Sequence, residues 1–295
     1  MNSPQRVEHQ MTDKGYVPVY TTAVVEQPWD SYSDTDHAVW GELFRRQRGL
    51  LVGRACSAFL RAQDAMGMED AAIPRFDQLN RRLGEATGWR IIGVEGLLPE
   101  LDFFDHLANR RFPVTWWIRR PEQIDYIAEP DLFHDLFGHV PLLMDPIFAD
   151  YMQAYGRGGV KAHSVGPEAL MHLTRLYWYT VEFGLIREAG DLRIYGAGIL
   201  SSKGESIHCL ESPAPNRIGF DLKRIMRTRY RIDTYQKTYF VIDDFQQLFD
   251  ATRPDFRPYY AELAQLDSIP AGDVLAGDAV DQRGSGEGWL TDGDV

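Results

Sequence analysis

Cysteine is nearly missing from this chain. Cys56 and Cys209 are the only two among 295 residues. That is too few for a disulfide scaffold, and with no C-x-x-C pair they do not suggest a zinc site. They read as buried free thiols and agree with a reducing, cytoplasmic setting. Long apolar runs are missing too. No stretch approaches the roughly 18 apolar residues that a membrane helix needs, so no membrane partner is expected. The opening MNSPQRVEHQMTDKG lacks the apolar centre of a signal peptide. Positive charge is in short supply: 31 basic residues face 43 acidic ones, a formal charge of −12. Such a chain repels phosphate backbones. The arginine pairs at 45/46, 110/111 and 119/120 never grow into a longer basic block, so nucleic acid is not an expected partner. Repeats of 20–50 residues, the mark of solenoids, are also lacking.

What remains is an ordinary globular composition, 44% hydrophobic and 25% charged, rich enough for a real core. The spacing predicts a mainly α fold with a few short β-strands. Helices are expected over 35–66, 76–83 and 99–109, from Asp145–Pro146 onward, and over a long stretch from Pro167 to Leu185. Strands are expected at 90–96, 112–119 and 239–242. Ser202-Lys203-Gly204-Glu205 fits a capping box. One catalytic domain is expected over 16–267. Before it, 1–15 is polar and without periodicity, an expected disordered segment. After it comes a Gly/Asp-rich tail, 268–295, whose six acids and one base carry −5 of the charge. The tail is expected to be mobile or loosely docked, with Trp289 as its one anchor. The Gly-rich 155–159 and the region 21–27 are candidate lids.

The densest chemical signal is EPDLFHDLFGHVP, residues 129–141. His134 and His139 lie five positions apart. On an α-helix of about 3.6 residues per turn they point about 140° from each other. Both rings then reach one metal only if the helix ends between them, and Gly138 and Pro141 are the residues that would end it. No H-E-x-x-H occurs. Asp131 and Asp135 stand close enough to orient a ring or a ligand. Glu182 is the one acid in LTRLYWYTVEFG, 173–184, where an unpaired carboxylate is costly to bury. Two His and one carboxylate make the facial set of non-haem Fe(II) sites. Plainer readings stand beside this one. The histidines could be core or surface residues, and Glu182 could pair with Arg175 or Arg187 along a helix. His106, His163, His172 and His208 each lack a second His at ligand spacing. His9 and His37 sit in polar sequence.

The runs EPDLFHDLFGHVPLL, LYWYTVEFGL and IYGAGILSSKGE, in this order and spacing, resemble the catalytic domain of the pterin-dependent aromatic amino acid hydroxylases. The short bacterial enzymes of that family that act on phenylalanine are the nearest branch. HLANRRFPVTWWIR and residues 53–59 agree, and the resemblance runs from about Pro28 into the tail. It implies Fe(II), O2 and a tetrahydropterin, either tetrahydrobiopterin or a related bacterial pterin. It implies that L-phenylalanine is hydroxylated to L-tyrosine. By the same resemblance His134, His139 and Glu182 are the iron ligands. Phe103, the Gly96-Leu97-Leu98 loop, Tyr177 and Asp135 fall at pterin positions. Arg119 matches the clamp on the substrate carboxylate, with Asp131 orienting it. Trp178, Phe183, Gly198 and Ser201 match the pocket around the amino acid. Asp135 departs from the Glu of the animal enzymes. Ile127 departs from a substrate-contacting Thr, so that contact is not carried over. Ile232 stands where tyrosine hydroxylases carry Asp, which favours a plain phenyl ring, although an apolar pocket rejects a hydroxyl only weakly. The animal-type regulatory domain and oligomerising helix are not seen, which implies a monomer. Two alternatives are a tryptophan hydroxylase of the same family and, from another class, a zinc-dependent hydrolase on the same three residues.

Overall fold

Helices carry most of the regular structure and short strands fill the gaps between them, as the apolar spacing predicts. The computed structural model describes residues 20–287, together with the backbone of the strands Gln10–Thr12 and Gly15–Val17. Those two strands form an antiparallel pair, so part of the stretch expected to lack order is extended. Trp289 lies outside the described residues. The chain divides into two compact units, each assembled from separated stretches: 1–46 with 60–160, and 47–59 with 161–295.

In the first unit Val24–Val25, Arg90–Val94 and Arg111–Thr115 form a three-stranded sheet. The first two strands run antiparallel and the last two parallel. A parallel pair needs a crossover, and the helix Glu100–Ala108 supplies it. The strand expected over 112–119 stops at Thr115, whose partner Val94 is the last residue of the neighbouring strand. Beyond that point there is no ladder to join. The side chain of Asn80, on the helix Phe76–Thr87, exchanges two hydrogen bonds with the Ile91 backbone and ties that helix to the sheet. The 155–159 glycines are not a lid. They lie inside the helix Pro146–Val165, where Asp145 caps the start by accepting from the N–H groups of Ile147 and Phe148. A Cβ on Gly159 would lie 2.1 Å from the Phe104 ring, and one on Gly156 would meet Leu107 and Ala108. These glycines let two helices touch.

The helix expected over 35–66 is two, Asp34–Leu50 and Ser57–Met66. Gly53 between them adopts φ +73°, a left-handed conformation that suits glycine and breaks the run. Cys56 then donates its N–H to the Ile194 carbonyl at 2.9 Å.

The second unit holds a five-stranded sheet in the order Val280–Gln282, Asn216–Gly219, Thr238–Ile242, Leu185–Glu188, Asp191–Ile194. The outer pairs are antiparallel and the inner pairs parallel. The tail through residue 287 is therefore docked, contrary to expectation. Its acids have partners waiting. Asp278 pairs with Arg224 at 2.9 Å with both side chains 5% exposed, and Asp281 pairs with Arg187 at 3.0 Å. Ile269 is buried. Net charge alone did not reveal that one of these carboxylates completes a buried ion pair.

The long helix expected through Leu185 is also shorter. It runs Pro167–Tyr177, widens into a π-turn at Trp178–Glu182, and gives way to a strand. Gly184 sets the exit: a Cβ there would lie 2.1 Å from the Tyr195 ring. Ser202 caps its helix by accepting from the Glu205 N–H at 3.3 Å. Glu205 does not reciprocate and turns to Gln236 and Tyr239, so half of the capping box forms. Cys56 and Cys209 are buried free thiols. Among the described residues no helix is long and apolar enough to cross a membrane.

Candidate metal centre

His134–His139 is a six-residue π-helix. This corrects the expectation that the helix must end between the two histidines. It widens instead. A π-turn bonds residue i to i+5, so positions five apart come into line. The two Nε2 atoms lie 3.1 Å apart with the rings edge to face at 83°. Gly138 is buried within the turn, and Pro141 begins the following 3-10 turn Pro141–Met144. In an α-helix Pro141 would clash with the carbonyl four residues back, and the widened turn ends just before it.

Aromatic packing anchors this segment. Phe133 stacks on Phe137 at 4.8 Å, and the two are met edge-on by Trp40 and Phe44 from the helix Asp34–Leu50. His139 is buried against Phe112 at 5.0 Å, whereas His134 is half-buried. Two imidazole nitrogens at this separation require a proton or a cation between them. The donor set thus fits a divalent metal.

Asp131 is fully buried beside the pair. It accepts from the Arg119 backbone N–H, Nε and Nη2, each at 2.9 Å, and from the His134 N–H at 3.1 Å. Burial by itself would raise its pKa. The Arg119 charge and these hydrogen bonds override burial and hold the carboxyl below the usual range. The guanidinium is buried as well, and Nη1 takes no part in the pair. It is the free prong of a rigid fork. Asp135 is buried, accepts from the Thr115 N–H at 2.7 Å, and is pushed up to about 7 by burial.

The expected pterin positions of this unit sit on a pinned loop and a neighbouring helix. Gly96 and Leu98 are buried and Leu97 is half-buried. The Leu97 carbonyl accepts from Thr21 at 2.8 Å, and the Glu95 carbonyl from the Trp117 indole at 3.0 Å. Phe103 is half-buried against Phe104 at 5.8 Å.

The other predicted residues lie in the second unit. Glu182 closes the π-turn that Trp178 opens, and Tyr177 precedes it, half-buried. The two arginines of the plainer ion-pair reading have other bonds. Arg175 donates to the Met226 and Arg227 carbonyls and to Ser268, and Arg187 pairs with Asp281 and Asp243. Trp178 stacks on Tyr230 at 4.3 Å and packs on Phe183 at 4.6 Å. Gly198 is required there, since its Cβ would come within 2.9 Å of the Phe183 ring. Ser201 is buried and donates to the Ala197 carbonyl at 2.9 Å. Ile232 is 67% exposed, so it does not line an enclosed wall. Gln236 was not anticipated. It accepts the Trp178 indole N–H at 2.9 Å, and nothing in TYQKTYF marks it. His134, His139 and Glu182 could together hold a metal ion, each offering one ligand atom.

Comparison with known proteins follows the same line. A profile of the biopterin-dependent aromatic amino acid hydroxylases matches residues 22–266. The phenylalanine-4-hydroxylase of Ralstonia nicotianae is 62% identical over 271 residues, covering 92% of this chain and 86% of that protein. The phenylalanine-4-hydroxylase of Chromobacterium violaceum is 60% identical over 269 residues, covering 91% and 90%. The crystal structure of the Chromobacterium violaceum phenylalanine hydroxylase bound to cobalt superposes with a TM-score of 0.86 at 59% identity, covering 89% of this chain and 95% of that one. The structure of that enzyme with bound oxidised Fe(III) gives 0.85 at 61% identity, covering 87% and 93%. With a paired-histidine π-turn at its centre and a family match over most of its length, the chain belongs to the biopterin-dependent aromatic amino acid hydroxylases.

Proposed function

We propose that this chain is a phenylalanine 4-monooxygenase, hydroxylating L-phenylalanine to L-tyrosine with O2 and a tetrahydropterin at an Fe(II) held by His134, His139 and Glu182. The observation that carries this reading is the π-turn that brings two imidazole nitrogens to 3.1 Å, beside the buried Arg119–Asp131 fork. Relatives at 62% and 60% identity bear the name phenylalanine-4-hydroxylase. That favours phenylalanine over tryptophan, and a monooxygenase over a zinc-dependent hydrolase.

Bound iron and pterin supply the redox chemistry. The chain's own part is orientation and exclusion of water. Arg119 takes the amino acid's carboxylate with the prong that Asp131 leaves free, and so sets which ring carbon faces the metal. Trp178, Phe183, Gly198 and Ser201 wall the pocket. Phe103, Gly96, Leu97, Leu98, Tyr177 and Asp135 receive the pterin. Ile232, mostly exposed, carries no weight in the choice of substrate. The catalytic domain is read as 16–267, and the chain as a cytoplasmic monomer. The scarcity of cysteine supports that compartment.

The test is anaerobic loading with Fe(II), followed by O2, a tetrahydropterin and phenylalanine, with tyrosine read by chromatography. Tyrosine is expected only when all four are present. Pterin oxidation without tyrosine would redirect the substrate to tryptophan. Absence of pterin oxidation from an iron-loaded enzyme would overturn the monooxygenase reading.

A further inference from the structure

Gln236 is 4% exposed and is bonded in three directions. Its backbone N–H donates to Glu205 Oε1 at 3.1 Å. Its side-chain oxygen accepts the indole N–H of Trp178 at 2.9 Å, and its side-chain NH2 donates to the Arg231 carbonyl at 3.0 Å. The helix Lys203–Glu211 therefore holds the backbone of Gln236 through Glu205. Glu205 is itself fixed, since the same oxygen accepts the Tyr239 hydroxyl at 2.5 Å.

Gln236 passes this rigidity to Trp178. Stacking on Tyr230 and packing on Phe183 fix the plane of the indole but leave the ring free to present either edge. The N–H bond chooses the edge. A half-buried indole donor left unpaired would cost on the order of 1 kcal/mol, enough to make one orientation dominate.

We propose that Gln236 is a positioning residue for the hydroxylation. Through Trp178 it fixes the wall against which the aromatic ring of the substrate lies, and Glu205 braces it from behind. The inference rests on the reading of Trp178 as a pocket residue. A wall that can turn misplaces the ring relative to the metal, and such displacements lower productive turnover more than they lower binding. The signature is pterin oxidised without tyrosine formed.

The experiment uses the full chain with Gln236→Met, Trp178→Phe and the double variant. Gln236→Met is expected to lower tyrosine formed per pterin oxidised by about threefold or more and to raise KM for phenylalanine, with KM for the pterin unchanged. Trp178→Phe is expected to do the same, and the double variant to be no worse than Trp178→Phe alone. A second readout needs no activity. In the metal-free protein the indole N–H resonance that Trp178→Phe deletes is expected to exchange slowly with D2O, and about tenfold faster in Gln236→Met. Effects that multiply in the double variant would overturn the proposal. So would rapid exchange of that resonance in the unmutated protein, a measurement that holds even if Gln236→Met does not fold. If Trp178→Phe alone leaves KM and coupling unchanged, the pocket reading of Trp178 fails first and the proposal falls with it.

Discussion

Asp131 carries a full charge with no access to water, and Arg119 is the reason it can. Removing one partner of such a pair strands the other, at a cost of about 3–5 kcal/mol. Asp131→Asn is therefore expected to lower stability by an amount that chemical denaturation resolves easily. An unchanged midpoint would mean that the pair is not the charged one described. The sign of its pH dependence follows from its lowered pKa. The pair's contribution is present above the ordinary carboxylate range and is lost as pH falls through it toward the folded-state value. Arg119→Lys should fold but lose the fork. KM for phenylalanine is expected to rise about tenfold or more, with iron content unchanged by metal analysis. At this scale the candidate ligands were legible: His134, His139, Asp131 and Glu182 stand out as residue types in apolar or motif-rich surroundings, whereas Arg119 was singled out only through the family resemblance. Gln236 was not legible, because a glutamine becomes informative only when its partners are known.

Elements were read less well, for a physical reason. Periodicity arguments assume about 3.6 residues per turn, and both segments that carry the expected ligands abandon that winding. Under an α-helical ruler His134 and His139 face apart, and the stretch to Leu185 looks like one helix. π-turns are frequent at functional sites, so the ruler failed where function is placed. Glycines misled for the opposite reason. The 155–159 run reads as flexible, yet it permits close packing of two helices. Paired substitutions test this. Gly159→Ala drives a Cβ into the Phe104 ring and is expected to cost about 1–3 kcal/mol. Gly158→Ala, in the same helix, meets nothing within 4 Å and is expected to gain up to about 1 kcal/mol. Thermal melts of the two should move in opposite directions. Equal shifts would contradict the packing described.

Across the whole molecule, charge is managed by burial as much as by exposure. Glu205 lies deep in the second unit, and its pKa is raised to about 7, chiefly by burial. A raised acid favours the protonated folded state. Its stabilising contribution is full below the unfolded value near 4.5 and is lost as pH rises toward about 7. Glu205→Gln mimics the neutral form. It should flatten the fall in stability between about pH 5 and pH 8, and parallel melting curves for the two proteins across that range would refute the assignment. The tail supplies the opposite case. Asp278→Asn leaves Arg224 buried without its counter-charge and is expected to cost about 3 kcal/mol or more. A loose tail would leave the melting temperature where it is. Composition showed an acidic end to the chain. It could not show that Arg224, some fifty positions earlier, was waiting for one of those acids.

The order of synthesis gives the sheet of the second unit a further meaning. That unit recruits residues as early as 47–59 and as late as the edge strand Val280–Gln282. A ribosome emits about 5–20 residues per second, so the early piece waits on the order of tens of seconds for its last strand. Throughout that interval an apolar stretch holding Leu51 and Phe59, both buried in the finished protein, has no completed sheet to join. A prematurely terminated chain therefore lacks a finished second unit, and with it the unit that carries Glu182. The cell would meet such a fragment as a substrate for chaperones and proteases, not as a weak enzyme.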